Sequence, residues 1–481
     1  MADRLGSYRR KRDFAATSEP TGDEAAGGTG GRFVVQEHDA SHLHWDLRLE
    51  HEGVAVSWAL PKGVPEHPRE NRLAVHTEDH PLKYLEWEGD IPKGEYGGGT
   101  MRIWDRGTFE AEKFRRDEVI ATFHGERVQG RYALFQTKGK NWMIHRMDPP
   151  ADPTYEPMPD RLAPMLARTG ALPLDEERYG FEVKWDGIRA LAFCDHGHFS
   201  LQGRNFTDFS SRYPELRPLA RGLGARRLIL DGEVVAFGDD GQPSFQRLQS
   251  RMHLTAPSQI KRRVQDTPVT YVIFDLLYLD GHSTCGLPYA DRRSLLEQLE
   301  LDGPAWRTPA SHRGEGTALL AATARLGIEG VVAKRLDSTY ETERRSSAWI
   351  KVKHVDVQDV VIGGWTPGTG NREGRIGALA VGVMEDGELR YAGKVGTGFT
   401  DETLGMVQRE LEPLRTDTSP FDGRQPPKGT SFVEPRLVAA VEFRAWTRSG
   451  TLRAPSFKGL RPDTDPSEAV REPQVPARDG G

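Results

Sequence analysis

Cysteine is nearly absent from this chain. Its two residues, Cys194 and Cys285, cannot build a disulfide framework or a four-thiolate zinc site, and a reducing compartment fits. Long apolar runs are missing too, since none approaches the ~20 residues needed to cross a bilayer. Residues 1–14 are basic and lack an apolar centre, which excludes a secretory signal. Nor is there an excess of positive charge: the formal net charge is −6. Any grip on phosphates must come from local clusters such as Arg9-Arg10-Lys11-Arg12, residues 113–116 or Lys261-Arg262-Arg263. Taken singly, each of these reads more readily as a solvated charge run. These gaps describe a cytoplasmic protein and neither require nor exclude DNA.

What is present divides into blocks. Residues 1–31 are poor in large apolar groups and end in glycines, which predicts a flexible basic leader. Residues 32–147 alternate short β-type runs (33–35, 44–49, 54–60, 100–104, 132–136, 142–145) with turn signals, predicting an all-β, barrel-like domain. Residues 148–160 hold five prolines and read as an interdomain linker. Over 161–354, strand patterns alternate with helical ones at 291–301 and 317–326, giving an α+β domain. The β texture returns over 355–470 and predicts a smaller barrel, followed by a disordered tail at 471–481.

The chemistry concentrates in an ordered ladder within the α+β block. Lys184-Trp185-Asp186-Gly187-Ile188-Arg189 is followed by Asp231-Gly232-Glu233, Phe274-Asp275, Glu329-Gly330 with Lys334, and Lys351-Val352-Lys353. A lysine that attacks the α-phosphate of a nucleotide needs a neutral amine and partners that neutralise the pyrophosphate leaving group. Glu233 and Glu329, with Asp186 nearby, are the acids expected to hold a divalent ion. Lys351 and Lys353 alternate on a strand and reach the same phosphates. Phe274 reads equally as a base-stacking ring and as an ordinary core aromatic.

This ladder resembles the covalent nucleotidyltransferase superfamily of ATP-dependent DNA ligases, RNA ligases and capping enzymes. The resemblance implies that Lys184 is the nucleophile and that Asp186, Gly187 and Arg189 complete its motif. It implies nucleotide contacts from Glu182, Arg204, Glu233, Phe274, Glu329, Lys334, Lys351, Lys353 and Arg461, with Arg461 and Asp463 carried on an OB-fold. Thr464 stands where the family commonly has a lysine, which puts the efficiency of self-adenylylation in question.

A second unusual stretch is His38 to Glu50. As a strand it places His44, Asp46, Arg48 and Glu50 on one face and Leu43, Trp45, Leu47 and Leu49 on the other. His38, His44 and Asp46 suit Mn²⁺, Zn²⁺ or a similar ion, and Arg48 suits a phosphate oxygen. A strand with a wet polar face explains the pattern equally well. Together with residues 58–63, 72–76 and 91–100, this run resembles the 3′-phosphoesterase module of bacterial D-class end-joining DNA ligases. That likeness implies metal ligands His38, His44 and Asp46. It puts Arg48 and His80 on the scissile phosphate, and gives supporting roles to Arg12, Asp13, Glu19, Lys62, Arg72 and Tyr84.

The two resemblances imply one chain that heals 3′ ends with Mn²⁺ or another transition metal. It then seals DNA with ATP and Mg²⁺ or Mn²⁺ through a lysyl-AMP. They imply double-stranded DNA with nicks or broken ends as substrate, a monomer associated with the bacterial nucleoid, and recruitment by the end binder Ku. No polymerase module fits in this length, so a separate polymerase or primase is expected. The alternatives are an RNA ligase or capping-type guanylyltransferase, or a non-catalytic DNA-end-binding scaffold.

Overall fold

The computed structural model describes residues 3–22, 30–252, 254–354, 356–369, 372–447 and 449–472. The first domain is built from β1 (Arg32–Asp39), β2 (Leu43–His51), β3 (Val54–Leu60), β4 (Asn71–His76), β5 (Gly89–Ile91), β6 (Gly99–Phe114), β7 (Glu118–Gly125), β8 (Gln129–Lys138) and β9 (Asn141–Arg146). Strand order β1-β2-β3-β4-β9-β8-β7-β6-β5, with β1 also pairing β6, closes eight of them into an antiparallel barrel and leaves β5 on its rim. Closure removes free sheet edges. Period-two alternation sends Phe33, Val35, Trp45, Leu47, Leu49, Trp58 and Leu134 into one interior core. The sequence texture missed β4 and β7.

The leader is not flexible where the structure describes it. A short helix, α1 (Gly6–Arg10), buries Tyr8, and residues 3–22 pack on the barrel's outer face. The reason is electrostatic as well as apolar. Lys11 pairs with Glu78 at 2.8 Å, and Arg12 pairs with Glu19 at 2.7 Å and Glu78 at 3.0 Å. The basic run is therefore neutralised by the barrel rather than solvated. Residues 23–29 of the leader and 473–481 of the tail lie outside the described residues.

The middle domain has two sheets. One orders strands Leu166–Thr169, Arg345–Lys353, Gly330–Arg335, Tyr179–Val183 and His312–Arg313. The other orders His198–Gly203, Ile188–Asp195, Arg227–Ala236, Val269–Leu279 and His282–Ser283. Helices Tyr289–Gln298 and Gly316–Arg325 fall within a few residues of the expected positions, while Phe245–Met252 and Pro257–Asp266 are additional. The last domain wraps strands Asp356–Pro367, Ile376–Glu385, Glu388–Val395 and Val438–Phe443 around a core of Val360, Ile362, Leu379, Val381 and Val441. Its helix Asp401–Leu411 starts at a capping box, with Thr400 and Thr403 bonding each other's backbone N–H.

The barrel and middle domain dock through the hairpin tip that joins Ile188–Asp195 to His198–Gly203. His196 lies edge-on to Trp45 with ring centroids 5.0 Å apart, and Asp195 meets Lys62 at 3.1 Å. Arg227 joins Asp195 at 3.2 Å to Glu70 of the barrel at 2.8 Å. Linker residue Tyr155 reaches the same Glu70 with its hydroxyl, so the proline-rich stretch is strapped down rather than free.

Candidate active sites

The barrel site follows from hairpin register. β1 and β2 pair His38 opposite His44 and Gln36 opposite Asp46, so three candidate ligands become neighbours across two strands. His38 Nε2 lies 2.8 Å from Gly97 O, and His44 Nδ1 lies 3.0 Å from His42 O. A carbonyl only accepts, so those nitrogens carry the hydrogens. That leaves His38 Nδ1 and His44 Nε2 as lone pairs, 3.7 and 3.8 Å from the Asp46 carboxylate. Among the described residues, this is the group of three donors close enough to share one ion. Two imidazole nitrogens and one carboxylate, each group held by its other atoms, fit a divalent transition metal.

Arg48, 2% exposed, organises the rest. It donates to Asp46 at 2.9 Å, Gln36 at 2.6 Å and Ser57 at 3.0 Å, and its Nη1 lies 2.9 Å from His80 Nδ1. Burial alone would raise the Asp46 carboxyl, but Arg48 and the two histidines hold it well below the usual carboxylate range. Burial, Arg48 and Arg12 together push His80 far below the ordinary histidine value, so it is neutral. Arg12 approaches the other ring nitrogen of His80 at 3.2 Å, and Tyr84 donates to Glu19 at 2.7 Å while its ring lies under Arg48. The polar face is thus buried and interlocked, not wet. Arg48, His80, Arg12, Glu19 and Tyr84 converge beside the three donors.

Three expected substrate contacts do not converge there. Arg72 alternates with core residue Ala74 on β4, so it points to the inner side of the wall. There it donates to the carbonyls of Lys62 and Val64 and to Glu70. Lys62, 55% exposed, is taken by Asp195 of the middle domain. Asp13 is exposed and caps the backbone of Ala15. Lys62 is therefore a docking residue in this structure, while Arg72 braces the barrel's own loop carbonyls and Glu70. Glu78, Gln36 and Ser57 were missed by sequence reasoning, having no motif to mark them.

The second site lies between the two sheets of the middle domain, in a cavity of about 190 Å³ lined by Glu182, Lys184, Arg189, Arg204, Glu233, Phe274, Lys334, Lys351 and Arg461. Two glycines fix the nucleophile loop. A Cβ on Gly187 would stand 2.3 Å from Val234 O, and one on Gly330 would stand 2.0 Å from Val352 O. The Gly330 carbonyl accepts the Lys184 N–H at 2.9 Å. Lys184 Nζ donates to Glu329 in a short ion pair, and Glu329 also meets Lys353 at 3.7 Å. Burial alone would lower the Lys184 amine, but Glu329, Asp186 and Glu233 raise it. The resting nucleophile is therefore an ammonium, the opposite of the neutral amine that the reaction needs.

The base-binding end is more fully built. Lys334 pairs with Glu182 at 2.7 Å and sits 4.4 Å from the ring centroids of both Phe274 and Trp349. Tyr289 donates to Glu182, and burial with Glu182's charge pushes that phenol far up. Arg189 donates two 2.6 Å bonds to Asp231, which Tyr340 also reaches at 2.6 Å. Trp349, Tyr340 and Tyr289 went unremarked in the sequence because they sit in ordinary apolar stretches. Arg461 of the last domain reaches Gly187 O at 3.3 Å, so the two domains are closed on each other. Thr464 is buried beside it, with its hydroxyl unpartnered.

The three acids expected to hold an ion share one space but rest on other partners. Asp186, Glu233 and Glu329 face a common space of about 460 Å³, but Glu329 is held by two lysines. Burial, opposed by Arg461 and Arg189, still brings Glu233 up to about 8. Burial and the Glu329 charge raise Asp186 as well.

Comparison with known proteins gives the family. Residues 36–136 match the model of the DNA ligase D 3′-phosphoesterase domain, 164–353 that of the ATP dependent DNA ligase domain, and 372–464 that of the ATP dependent DNA ligase C terminal region. A DNA ligase of Thermococcus fumicolans is 32% identical over 395 residues, covering 77% of this chain and 68% of that protein. The chain belongs to the ATP-dependent DNA ligases. It is of the ligase D type, with the phosphoesterase domain ahead of the ligase domain. The multifunctional non-homologous end joining DNA repair protein LigD of Mycobacterium tuberculosis is 46% identical over 98% of this chain. The chain spans 62% of that relative's length. A solved mycobacterial DNA ligase D complexed with ATP and MES is 42% identical, covering 65% of this chain and 98% of that one, with a TM-score of 0.49.

Proposed function

We propose that this chain repairs broken DNA by cleaning 3′ ends in its barrel and sealing them in its ligase domains. The observation that carries the reading is Lys184, set between two sheets in a cavity with an aromatic, cation-capped base end at Phe274 and Lys334 and a cationic phosphate end at Lys351 and Arg461.

In the first step the Lys184 amine attacks the α-phosphorus of ATP. A nitrogen–phosphorus bond forms, the bond to pyrophosphate breaks, and the amine gives up its proton. For this the Glu329 grip must weaken, since an ammonium has no lone pair. Phe274 and Trp349 enclose the base, while Lys351, Lys353 and Arg461 offset charge on the leaving group. AMP then passes to a DNA 5′-phosphate, and attack by the 3′-hydroxyl releases it. In the barrel, His38, His44 and Asp46 would hold a divalent ion, which would supply Lewis-acid polarisation of a terminal 3′-phosphate. Arg48 and Arg12 neutralise the phosphate oxygens, and neutral His80 is placed to accept or relay a proton. Lys62 joins that substrate only if the domains separate. Mn²⁺ for the barrel, a Ku-type end binder and residence at the bacterial nucleoid complete the proposal. The end-joining names of the relatives support the end binder, and the two-imidazole, one-carboxylate donor set supports a transition metal.

The test is incubation with α-labelled ATP or GTP and a divalent ion. An acid-labile, alkali-stable labelled protein should form with ATP and be missing in Lys184→Ala. No label in the wild type, or label persisting in Lys184→Ala, overturns the ligase mechanism. Preference for GTP would indicate a capping-type enzyme.

A further inference from the structure

The cations at the phosphate end of the cavity are already occupied, and their occupants come from the far end of the chain. Glu472 meets Lys351 at 2.5 Å and Lys353 at 3.6 Å, and accepts from the Thr169 hydroxyl at 2.8 Å. Glu468 pairs with Arg204. Both acids line the same cavity as Lys184, Phe274 and Lys334. The backbone between them is anchored on the last domain rather than drifting into place. Met384 N–H donates to Ala469 O at 2.8 Å, Gln358 donates to Val470 O at 2.9 Å, and Glu472 N–H donates to Gln358 at 2.9 Å. The segment therefore bridges the C-terminal barrel to the cavity wall and delivers two carboxylates to it.

We propose that residues 468–472 form a built-in anionic plug that holds the phosphate-binding cations and must be displaced before ATP can bind. This rests on reading the cavity as the ATP site. The argument is one of shared charge. A triphosphate and the Glu472 carboxylate cannot both sit against Lys351, because two anions on one buried ammonium repel each other strongly where water is scarce. Either ion satisfies the lysines, so the closed resting arrangement is stable without leaving cations buried and unpaired. Burial, Lys353 and Glu472 set Lys351 in competition: burial and Lys353 disfavour its charge, and its carboxylate partner restores it. The consequence is a threshold. ATP binding releases the C-terminal segment and, through Lys351 and Lys353, loosens the lysine cluster that also holds Glu329.

The experiment is equilibrium binding of α,β-methylene-ATP with Mg²⁺ to the full chain, wild type against Glu472→Gln, at low and high salt. The glutamine keeps the shape and removes the competing charge. Binding should tighten by at least about fivefold, the low end for coupled binding equilibria, and the gain should shrink at high salt. If Glu472→Gln folds poorly by calorimetry, Glu472→Ala must show the same tightening. Unchanged or weaker binding in the variant, with normal binding in the wild type, overturns the plug and leaves the ligase reading intact. If neither protein binds the analogue, the cavity is not the ATP site and the plug falls with it.

Discussion

The two sites solve the problem of buried charge in opposite ways. In the barrel, each charged group rests against the partner it needs for chemistry: Asp46 against Arg48 and the two histidines, with Arg12 against His80. In the ligase cavity the reactive groups rest against partners that must leave, Lys184 against Glu329 and Lys351 against Glu472. The barrel site sits mostly on one hairpin, so register alone assembles it. The ligase cavity draws on both sheets of one domain and on the last domain, and it is assembled by closure. A preorganised site favours a fixed reaction geometry. A site held by exchangeable ion pairs favours a cycle in which three substrates enter and leave in turn.

The largest expected effect is on chemistry. Lys184→Ala should abolish the labelled lysyl-AMP band and nick sealing while leaving 3′-phosphate removal intact, as measured on separate substrates. Loss of both would break the division between the sites. Next comes Arg48→Ala, which leaves Asp46 and His80 buried without their shared partner. It should destabilise the barrel by about 3–5 kcal/mol in chemical denaturation and abolish phosphate removal, with sealing retained by protein that stays folded. A cost below ~1 kcal/mol would mean the network is loose.

Domain docking gives a pH-dependent test. Burial brings His196 down from 6.5 to about 4, although Asp195 partly opposes it. The folded protein then binds fewer protons than the unfolded chain between those values. Stability should fall as pH drops from about 6.5 through about 4, by roughly 3 kcal/mol in total. In His196→Gln that loss should be missing from calorimetric scans at pH 7 and pH 4.5. An unchanged acid profile would show that the hairpin tip is not buried in solution. The smallest effect is Tyr340→Phe, which removes one of the donors to buried Asp231 and should cost about 1–2 kcal/mol with a modest fall in adenylylation rate.

How much of each site was legible in the sequence follows from the same contrast. His38, His44, Asp46 and Arg48 were readable because period-two alternation and one tight turn decide where they go. Lys184 and its ladder were readable as residue types in order, and the fold brings them to one cavity. What sequence did not reveal was which ion pairs hold the resting state. Glu472 lies 121 residues from Lys351, and no local pattern links them. The leader was misread for a similar reason: its charges look solvated until Glu78, far along the chain, is brought beside them. Lys62 and Arg72 were assigned to the barrel site, but the second domain supplies Asp195 to Lys62, and Arg72 turns to the barrel's own Glu70 and loop carbonyls. The three acids expected to hold an ion line one space, and their charges answer to nearby lysines and to burial.

The central claim is that one chain carries two separable chemistries acting in order on the same end. A nicked duplex bearing a 3′-phosphate, incubated with ATP, Mg²⁺ and Mn²⁺, tests it directly on a sequencing gel. Wild type should yield sealed strand, Lys184→Ala should stop at a 3′-hydroxyl, and His44→Ala should leave the 3′-phosphate unsealed while still joining a nick that already has a 3′-hydroxyl. Sealed product from the phosphate-bearing nick in His44→Ala, or no phosphate removal in Lys184→Ala, would contradict it.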